Sequence, residues 1–465
     1  MKRPLKNAFA VVVGDAGSRA VGFVVTAYLA RVLGVVGFGE LNVGLAVLAY
    51  LGLVGSPGIQ ILESRNTALP GRMDDARVSD ILSLRMALAF GLILATCMVS
   101  IVVLPAGATR DVILLLSFAL IPLALSLDWF FAGKEKFLTN AIGKMVSIGV
   151  YGGVVMAWVT GSDDIRHAAL AFVLGNVAAT TYLLFMYSGT WGRLRMQVDM
   201  KSWRTLLAEN VPVGISSFLA QSVVNLPPIV LAIVGTAGDA GTYSAGAKLI
   251  SVVLVLDRLF NALFLPVITR YAQLHRAEVV PLVSVSLRML ISLAAPLILA
   301  ALFLAGPAVS IAFGPGYPAA APVVQVLMGY FGLTVINSLF TVILIGHGAE
   351  RAYNATILLG SAVTVAAIVA GTAAGPVGAA WGVVAGEATT ALLMGVRASR
   401  VAGINFGAAA LRPLAAVAGM AGIAALLADV AWVGVPASCG VFVILMILFR
   451  GMNRNDWRMV RERIL

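Results

Sequence analysis

Charge is scarce in this chain: 11% of its 465 residues are Asp, Glu, Lys or Arg, while 60% are hydrophobic. A water-soluble domain carries about 25% charged residues, so an ordinary solvated surface is excluded. Histidine and cysteine are scarcer still. His167, His275 and His347 stand far apart, with none of the spacings that ligate a metal. Cys97 and Cys439 lie inside apolar runs, where a free thiol packs as a small hydrophobe, so no disulfide or redox pair is expected. No GxxxxGKS/T phosphate loop, no GxSxG elbow and no Ser/His/Asp set stands out. The carboxylate pairs Asp74-Asp75 and Asp163-Asp164 fall in short loops and read as solvated turn residues. Outer loops this short leave no room for the acceptor site of a membrane glycosyltransferase. The sequence therefore predicts neither an enzyme nor a metal or cofactor protein.

What is present is apolar length. Mean hydropathy is +0.98, and runs of membrane-spanning length recur from near the start to about residue 450. The predicted spans are 8–32, 40–64, 79–104, 112–132, 138–160, 167–187, 205–235, 243–268, 283–305, 319–345, 353–372, 376–396, 410–428 and 433–449. Lys2, Arg3 and Lys6 ahead of the first run mimic a signal peptide, but that run carries Asp15 and Arg19 and continues for a full membrane thickness, so it reads as a retained helix. Of the loop and tail cations, 23 fall on one side and only Arg110 and Arg166 on the other. This asymmetry places both termini in the cytoplasm and agrees with an even span count. It also explains the net charge of +11 better than nucleic-acid binding does, because the cations are dispersed among short loops.

The spans repeat. Ser83-Leu84-Arg85-Met86 in the third recurs as Ser286-Leu287-Arg288-Met289 in the ninth, and Gly133-Lys134-Glu135-Lys136 after the fourth is echoed by Gly348-Ala349-Glu350-Arg351 after the tenth. A weaker echo pairs Gly39–Gly44 with Gly241–Gly246. Each maps span n onto span n+6, which implies two six-helix lobes of like orientation, 1–200 and 201–400, followed by two further helices and a basic tail, 401–465. Two-lobed proteins of this kind commonly rock about a central site.

Ionisable groups within the spans are the candidates for function, since each costs roughly 2.5–3.5 kcal/mol at a helix centre unless partnered or hydrated. They are Asp15, Arg19, Arg85, Asp128, Lys144, Lys248, Asp257, Arg258, Arg288 and Glu387, with Arg31 at the outer end of the first span. Arg85, Lys144 and Arg288 lie roughly 8–9 Å from a cytoplasmic end and Lys248 about 8 Å from an outer end, so snorkelling competes with function. Arg19, roughly 16 Å deep, and Arg258, roughly 15 Å deep, have no such escape. Asp15 and Arg19 share a helix face and suit an ion pair. Asp257 and Arg258 point about 100° apart and need separate partners. A cavity lined by Arg19, Arg31, Arg85, Lys248, Arg258 and Arg288 suits an anion, and arginine forks suit phosphate oxygens. Asp15, Asp128, Asp257 and Glu387 are candidates for carrying a coupling proton or sodium ion. In the seventh span Gln221, Asn225 and Pro227-Pro228 mark a kink or a hinge.

Arg19, the string LARVLG at 29–34, Gly37-Phe38-Gly39, Gly133–Lys136, Trp203–Pro212, Gly241–Ala245, Gly314–Leu327 and Gly375–Ala380 together resemble the polysaccharide-flippase (Wzx-like) branch of the multidrug/oligosaccharidyl-lipid/polysaccharide (MOP) superfamily. The resemblance covers the first twelve spans. It implies two six-helix lobes around a cationic cavity and transport of undecaprenyl-diphosphate-linked sugars across the bacterial inner membrane. Membrane lipids, a polysaccharide polymerase and pathway glycosyltransferases are then the expected partners. Lipid II flippases are similar in carrying an arginine where Arg19 stands, but add a basic residue about six positions on; this chain has Val24-Val25 there. That departure favours an O-antigen or exopolysaccharide unit. A multidrug exporter of the same superfamily is the alternative, though acids rather than cations suit its cargo. A membrane-embedded polymerase or transferase is weaker again, and a scaffold would not need two deep arginines.

Overall fold

The computed structural model describes residues 2–69, 73–192, 194, 197–274, 276–404, 406–427 and 431–448. Within them every regular element is a helix, as a bilayer requires of any open chain, because only a helix satisfies its backbone hydrogen bonds internally. Nine helical runs among the described residues are long and apolar enough to cross a membrane. Two of them, Gly17–Gly55 and Glu350–Ala402, each hold two crossings. The shorter apolar helices Val224–Val234, Ala410–Leu426 and Gly434–Leu448 bring the total to the fourteen expected. The chain divides into two compact units, Met1–Ser244 and Ala245–Leu465.

The first unit opens with α1 (Lys2–Gly55), which bends at Gly34 (φ 68°, ψ 179°). The first two crossings meet at this one residue, whose positive φ favours glycine, in place of the loop expected over 34–39. The chain breaks again at Ser56-Pro57-Gly58, then forms α2 (Ile59–Ala68) and α3 (Asp75–Val103). Asp74, read as a turn residue, is the N-cap of α3, accepting from the Arg77 backbone N–H at 2.8 Å. Asp75 accepts from the Tyr187 hydroxyl at 2.6 Å. The fourth crossing is in three pieces, α4 (Ala108–Ser117), α5 (Leu120–Leu125) and α6 (Asp128–Gly133). There follow α7 (Phe137–Trp158) and α8 (Ile165–Ser188), then α9 (Met200–Ala220) and α10 (Ser222–Val234), which share the seventh crossing and pack against α1. Trp129, Phe130 and Phe131 of α6 pack with Tyr187 and Trp191 into an aromatic core.

Next come α11 (Ala237–Val253) and α12 (Val255–Leu274), halves of the eighth crossing interrupted at Leu254. The remaining helices are α13 (Arg276–Phe313), α14 (Ala320–Gly346), α15 (Glu350–Gly371), α16 (Gly375–Ala402), α17 (Phe406–Leu426) and α18 (Ala431–Leu448). Helices α15 and α16 meet along small residues: a Cβ on Gly382 would overlap the Ala367 carbonyl, and one on Gly386 would overlap Thr364. Such close backbone approach drives helix association in lipid. The last two helices pack on α13, with Ala416, Met420, Phe442 and Met446 against Ala295 and Leu299.

Two of the sequence echoes share local hydrogen bonds. Ser83 and Ser286 each donate their hydroxyl to the carbonyl four residues back, Ser79 and Leu282. The Lys136 amide reaches the Phe131 carbonyl and that of Glu135 reaches Ala132; likewise Ala349 reaches Leu344 and Gly348 reaches Ile345. These are two copies of one Schellman helix end, with Glu135 (φ 56°) and Gly348 (φ 72°) in the left-handed position. The structural register thus equates Gly348 with Glu135, two residues on from the Gly133 that the sequence echo aligns with it. Gly133 is glycine for another reason: a Cβ there would collide with the Ser64 carbonyl of α2.

Gly39 and Gly241 pack reciprocally, a Cβ on either running into the carbonyl of Ala237 or of Val35. Gly39→Ala should therefore cost about 1–3 kcal/mol and lower the melting midpoint measured by scanning fluorimetry in detergent. Gly91→Ala, with nothing within 4 Å, should leave it unchanged or raise it.

Candidate functional site

The interruption of the fourth crossing leaves carbonyls short of backbone donors, Leu123 O keeping a long bond from the Ser126 amide at 3.3 Å, and the bilayer offers none. Side chains from neighbouring helices supply the donors. Arg85 of α3 donates from Nη2 to Leu123 O at 2.5 Å and from Nη1 to Ser126 O at 2.8 Å. Thr180 of α8 donates to Pro122 O at 2.9 Å. Arg85 is only 5% exposed, so it does not snorkel. Because α3 begins at Asp75, Arg85 sits about 15 Å along the helix at 1.5 Å per residue, deeper than the sequence boundary at 79 suggests. Asp128, in the first turn of α6, balances its charge and accepts from the Ser126 hydroxyl at 2.9 Å.

Beside Arg85 lies a half-open cavity of about 340 Å³, bordered by α1, α2, α3, α5, α6, α8 and α9 and lined on its polar side by Ser56, Gln60, Arg85, Asp128, Ser217 and Gln221. Ser56 Oγ, Arg85 Nε and Trp129 Nε1 are buried and have no hydrogen-bond partner among the described residues; all three residues line this cavity.

On the same unit Glu63 of α2 is fully buried in an ion pair with Arg77 of α3, with Nε and Nη2 donating to its two carboxylate oxygens at 3.1 and 3.0 Å. Arg77 also reaches Glu209 at 3.2 Å, and Asn210 donates to Glu63 at 3.2 Å, tying α9 into the network. Sequence reasoning missed it: Arg77 counts there as a loop cation and Glu63 as the end of a span. The available signal is a carboxylate in the apolar setting Ile61-Leu62-Glu63.

The second unit holds two carboxylates around α14. Ser338 donates to Asp257 Oδ1 at 2.5 Å, and Asn261 donates to Ser338 at 2.9 Å and to Asp257 Oδ2 at 3.3 Å. The adjacent Asn337 donates to Glu387 Oε1 of α16 at 2.5 Å. Tyr330 lies within electrostatic reach of Asp257, Arg258 and Glu387, and Asp257 and Glu387 feel each other's charge. Asn337 Oδ1 is buried with no partner among the described residues. Neutral amides and hydroxyls thus surround two acids, an arrangement able to exchange a proton or a small cation.

The candidate residues therefore separate. Arg85 and Asp128 meet in the first unit; Asp257, Arg258 and Glu387 gather in the second. Arg19 and Arg31 on α1 and Arg258 on α12 have exposed side chains, while Lys248 on α11 and Arg288 on α13 are half-buried. Lys144 is exposed on α7. The Asp15 side chain lies outside the described residues. Pro227 and Pro228 are buried inside α10, and the seventh crossing is interrupted at Gln221, upstream of them.

Apolar crossings that carry acids and arginines within the membrane make this a polytopic membrane fold. The fold matches solved structures of that kind: the lipid II flippase MurJ in an inward closed conformation, at 12% identity and TM-score 0.75, covering 95% of this chain and 98% of that one. A multidrug resistance MATE family transporter of the MOP superfamily matches in its inward-facing conformation at 13% identity and TM-score 0.63, over 83% of this chain and 95% of that one. The Vibrio cholerae MATE transporter VcmN matches at 14% identity and TM-score 0.53, over 86% and 96%. No curated protein sequence matches. The polysaccharide biosynthesis protein family model matches residues 5–272, and the chain belongs to that family.

Removing Arg77 strands Glu63 as a buried unpaired charge, a loss of about 3–5 kcal/mol for a fully buried pair and less here because Arg77 is 31% exposed. Arg77→Met should lower the melting midpoint markedly, and adding Glu63→Gln should restore most of it. An Arg77→Met variant as stable as wild type would remove the ion pair from the account.

Proposed function

We propose that this chain flips an undecaprenyl-diphosphate-linked oligosaccharide repeat unit from the cytoplasmic to the periplasmic leaflet of the bacterial inner membrane, during surface-polysaccharide biosynthesis. Membership of the polysaccharide biosynthesis family carries this reading. The arginines Arg19 and Arg258, with exposed side chains on the first and eighth crossings, support it, since a guanidinium there can present its planar fork to phosphate oxygens. They hold the diphosphate through forked hydrogen bonds, with Arg31, Lys248 and Arg288 adding positive potential, while the prenyl tail stays in the bilayer. Asp257 and Glu387 accept the coupling proton or sodium ion. Pro227 and Pro228 weaken α10 enough for the seventh crossing to bend. Both termini face the cytoplasm, and the outer-side cation Arg166 is offset by Asp111 at 2.5 Å.

Arg19→Ala and Arg258→Ala should each abolish polysaccharide export in a complementation assay while the protein inserts at normal levels, and lysine at either position should restore only part. Full export by both alanine variants would sink the cationic reading.

In vesicles scored for movement of a diphosphate-linked oligosaccharide, Asp257→Asn combined with Glu387→Gln should remove the response to an imposed proton or sodium gradient. An unchanged response would exclude both acids as the coupling site. Movement of a cationic drug instead of the oligosaccharide would favour the exporter reading.

A further inference from the structure

Three helix interruptions of the first unit converge on one cavity: Ser56–Gly58 between α1 and α2, Ser126–Leu127 between α5 and α6, and Gln221 between α9 and α10. Interruptions in membrane helices are tolerated where they line a cavity or are buried in protein, so this convergence is a built feature of the wall. Arg85 and Trp129, 5% and 1% exposed, each bring a buried donor nitrogen with no partner among the described residues, and Ser56 brings a hydroxyl in the same condition. An unpaired buried polar atom costs about 1–3 kcal/mol, and a small side-chain shift that opens these atoms to the cavity would let an occupant with hydroxyl groups relieve that cost.

The chemistry of the walls narrows that occupant. Asp128 offsets the charge of Arg85, so the cavity is close to neutral and is no trap for a free anion or cation. An apolar guest would leave the three donors unsatisfied. Asp128, Ser217 and Gln221 add acceptors and further donors, and the Phe172 ring with the aliphatic Leu45 and Leu53 supplies apolar faces. Acceptors, donors and flat apolar surfaces around a neutral space match a sugar ring, with its girdle of hydroxyls and its C–H faces. At about 340 Å³ the cavity lies at the small end of ligand sites, roughly 300–1,000 Å³. That admits a monosaccharide or a short glycan, not a long repeat unit.

We propose that this cavity of the first unit is a sugar-binding subsite, which takes a neutral ring of the cargo and reads its hydroxyl pattern. The proposal rests on the reading that the cargo carries a glycan, and it assigns glycan choice to a place separate from the arginines assigned to the diphosphate. Asp128 and Gln221 fix the ring orientation, and the Trp129 N–H selects an acceptor at one ring position.

The test uses the full chain in nanodiscs, with saturation-transfer NMR against D-glucose, D-galactose, N-acetyl-D-glucosamine and L-rhamnose and with inorganic pyrophosphate as competitor. At least one neutral sugar should bind the wild type, and pyrophosphate should not displace it. Asp128→Asn, Gln221→Leu and Trp129→Phe should each weaken that binding by about tenfold, the scale of one net hydrogen bond. Trp129→Phe keeps an aromatic ring and Asp128→Asn keeps the volume, so variants melting within a few degrees of wild type report on binding alone. No binding by any sugar in the panel, well-folded variants that bind as tightly as wild type, or displacement by pyrophosphate would each overturn the proposal. Flipping of a diphosphate-linked oligosaccharide is scored separately in vesicles. Sugar binding without flipping removes the flippase reading and leaves the subsite, whereas flipping without sugar binding removes the subsite alone.

Discussion

The hydrogen bonds from Arg85 to the Leu123 and Ser126 carbonyls are the contact on which the first unit turns. A six-residue helix such as α5 cannot satisfy its own carbonyls, and lipid cannot satisfy them for it. With Thr180 covering Pro122, the broken crossing is stable only in the company of α3 and α8. The guanidinium suits the task because its planar fork serves two acceptors at once, and its charge is favourable at the C-terminal end of a helix. Its cost is a buried cation, which explains Asp128 two residues beyond the second carbonyl. The break, the arginine and the acid form one arrangement, and the space left where α5 gives way to α6 is the cavity.

The two units handle charge differently. In the first, opposite charges close on each other, Glu63 with Arg77 and Arg85 beside Asp128, so the interior is neutral and its geometry fixed. In the second, Asp257 and Glu387 meet amides and hydroxyls from neighbouring positions of α14, and Arg258, next along α12 from Asp257, keeps its side chain exposed. An acid held by neutral donors can gain or lose a proton, or exchange a cation, without breaking an ion pair. Acids paired with arginine and acids held by neutral donors thus lie on different parts of the chain.

The crossings were legible because hydropathy is summed over many residues and tolerates local error. The errors lie where one residue decides. The outer loop expected over 34–39 reduces to a bend at Gly34, since one glycine with positive φ joins two helices that hydropathy sees as separate. The Gly133/Gly348 echo is real as a helix end yet out of register, because Glu135, not glycine, occupies the left-handed position in the first copy. Arg85 reads as a snorkelling side chain from its distance to a span boundary. What fixes it is a pair of carbonyls about forty residues away in sequence, and no local pattern announces them. Glu63 escaped notice for the same reason, its partners Arg77 and Asn210 coming from other helices.

Depth in the membrane therefore ranks the cost of an ionisable residue, not its role. Arg85 is costly and committed to backbone, whereas Arg258, also within a crossing, keeps its side chain exposed. The same logic applies to the seventh crossing. Pro227 and Pro228 free the carbonyls of Val223 and Val224, since proline lacks the N–H that would have reached four residues back, yet the helix gives way upstream, at Gln221. The Gln221 carbonyl accepts from both Val224 and Asn225 at 3.2 and 3.0 Å, so the first turn of α10 closes on it, and its side chain lines the Arg85 cavity. The break in this crossing therefore places Gln221 on the same wall as Arg85 and Asp128, so the local geometry of the seventh crossing sets the shape of the cavity.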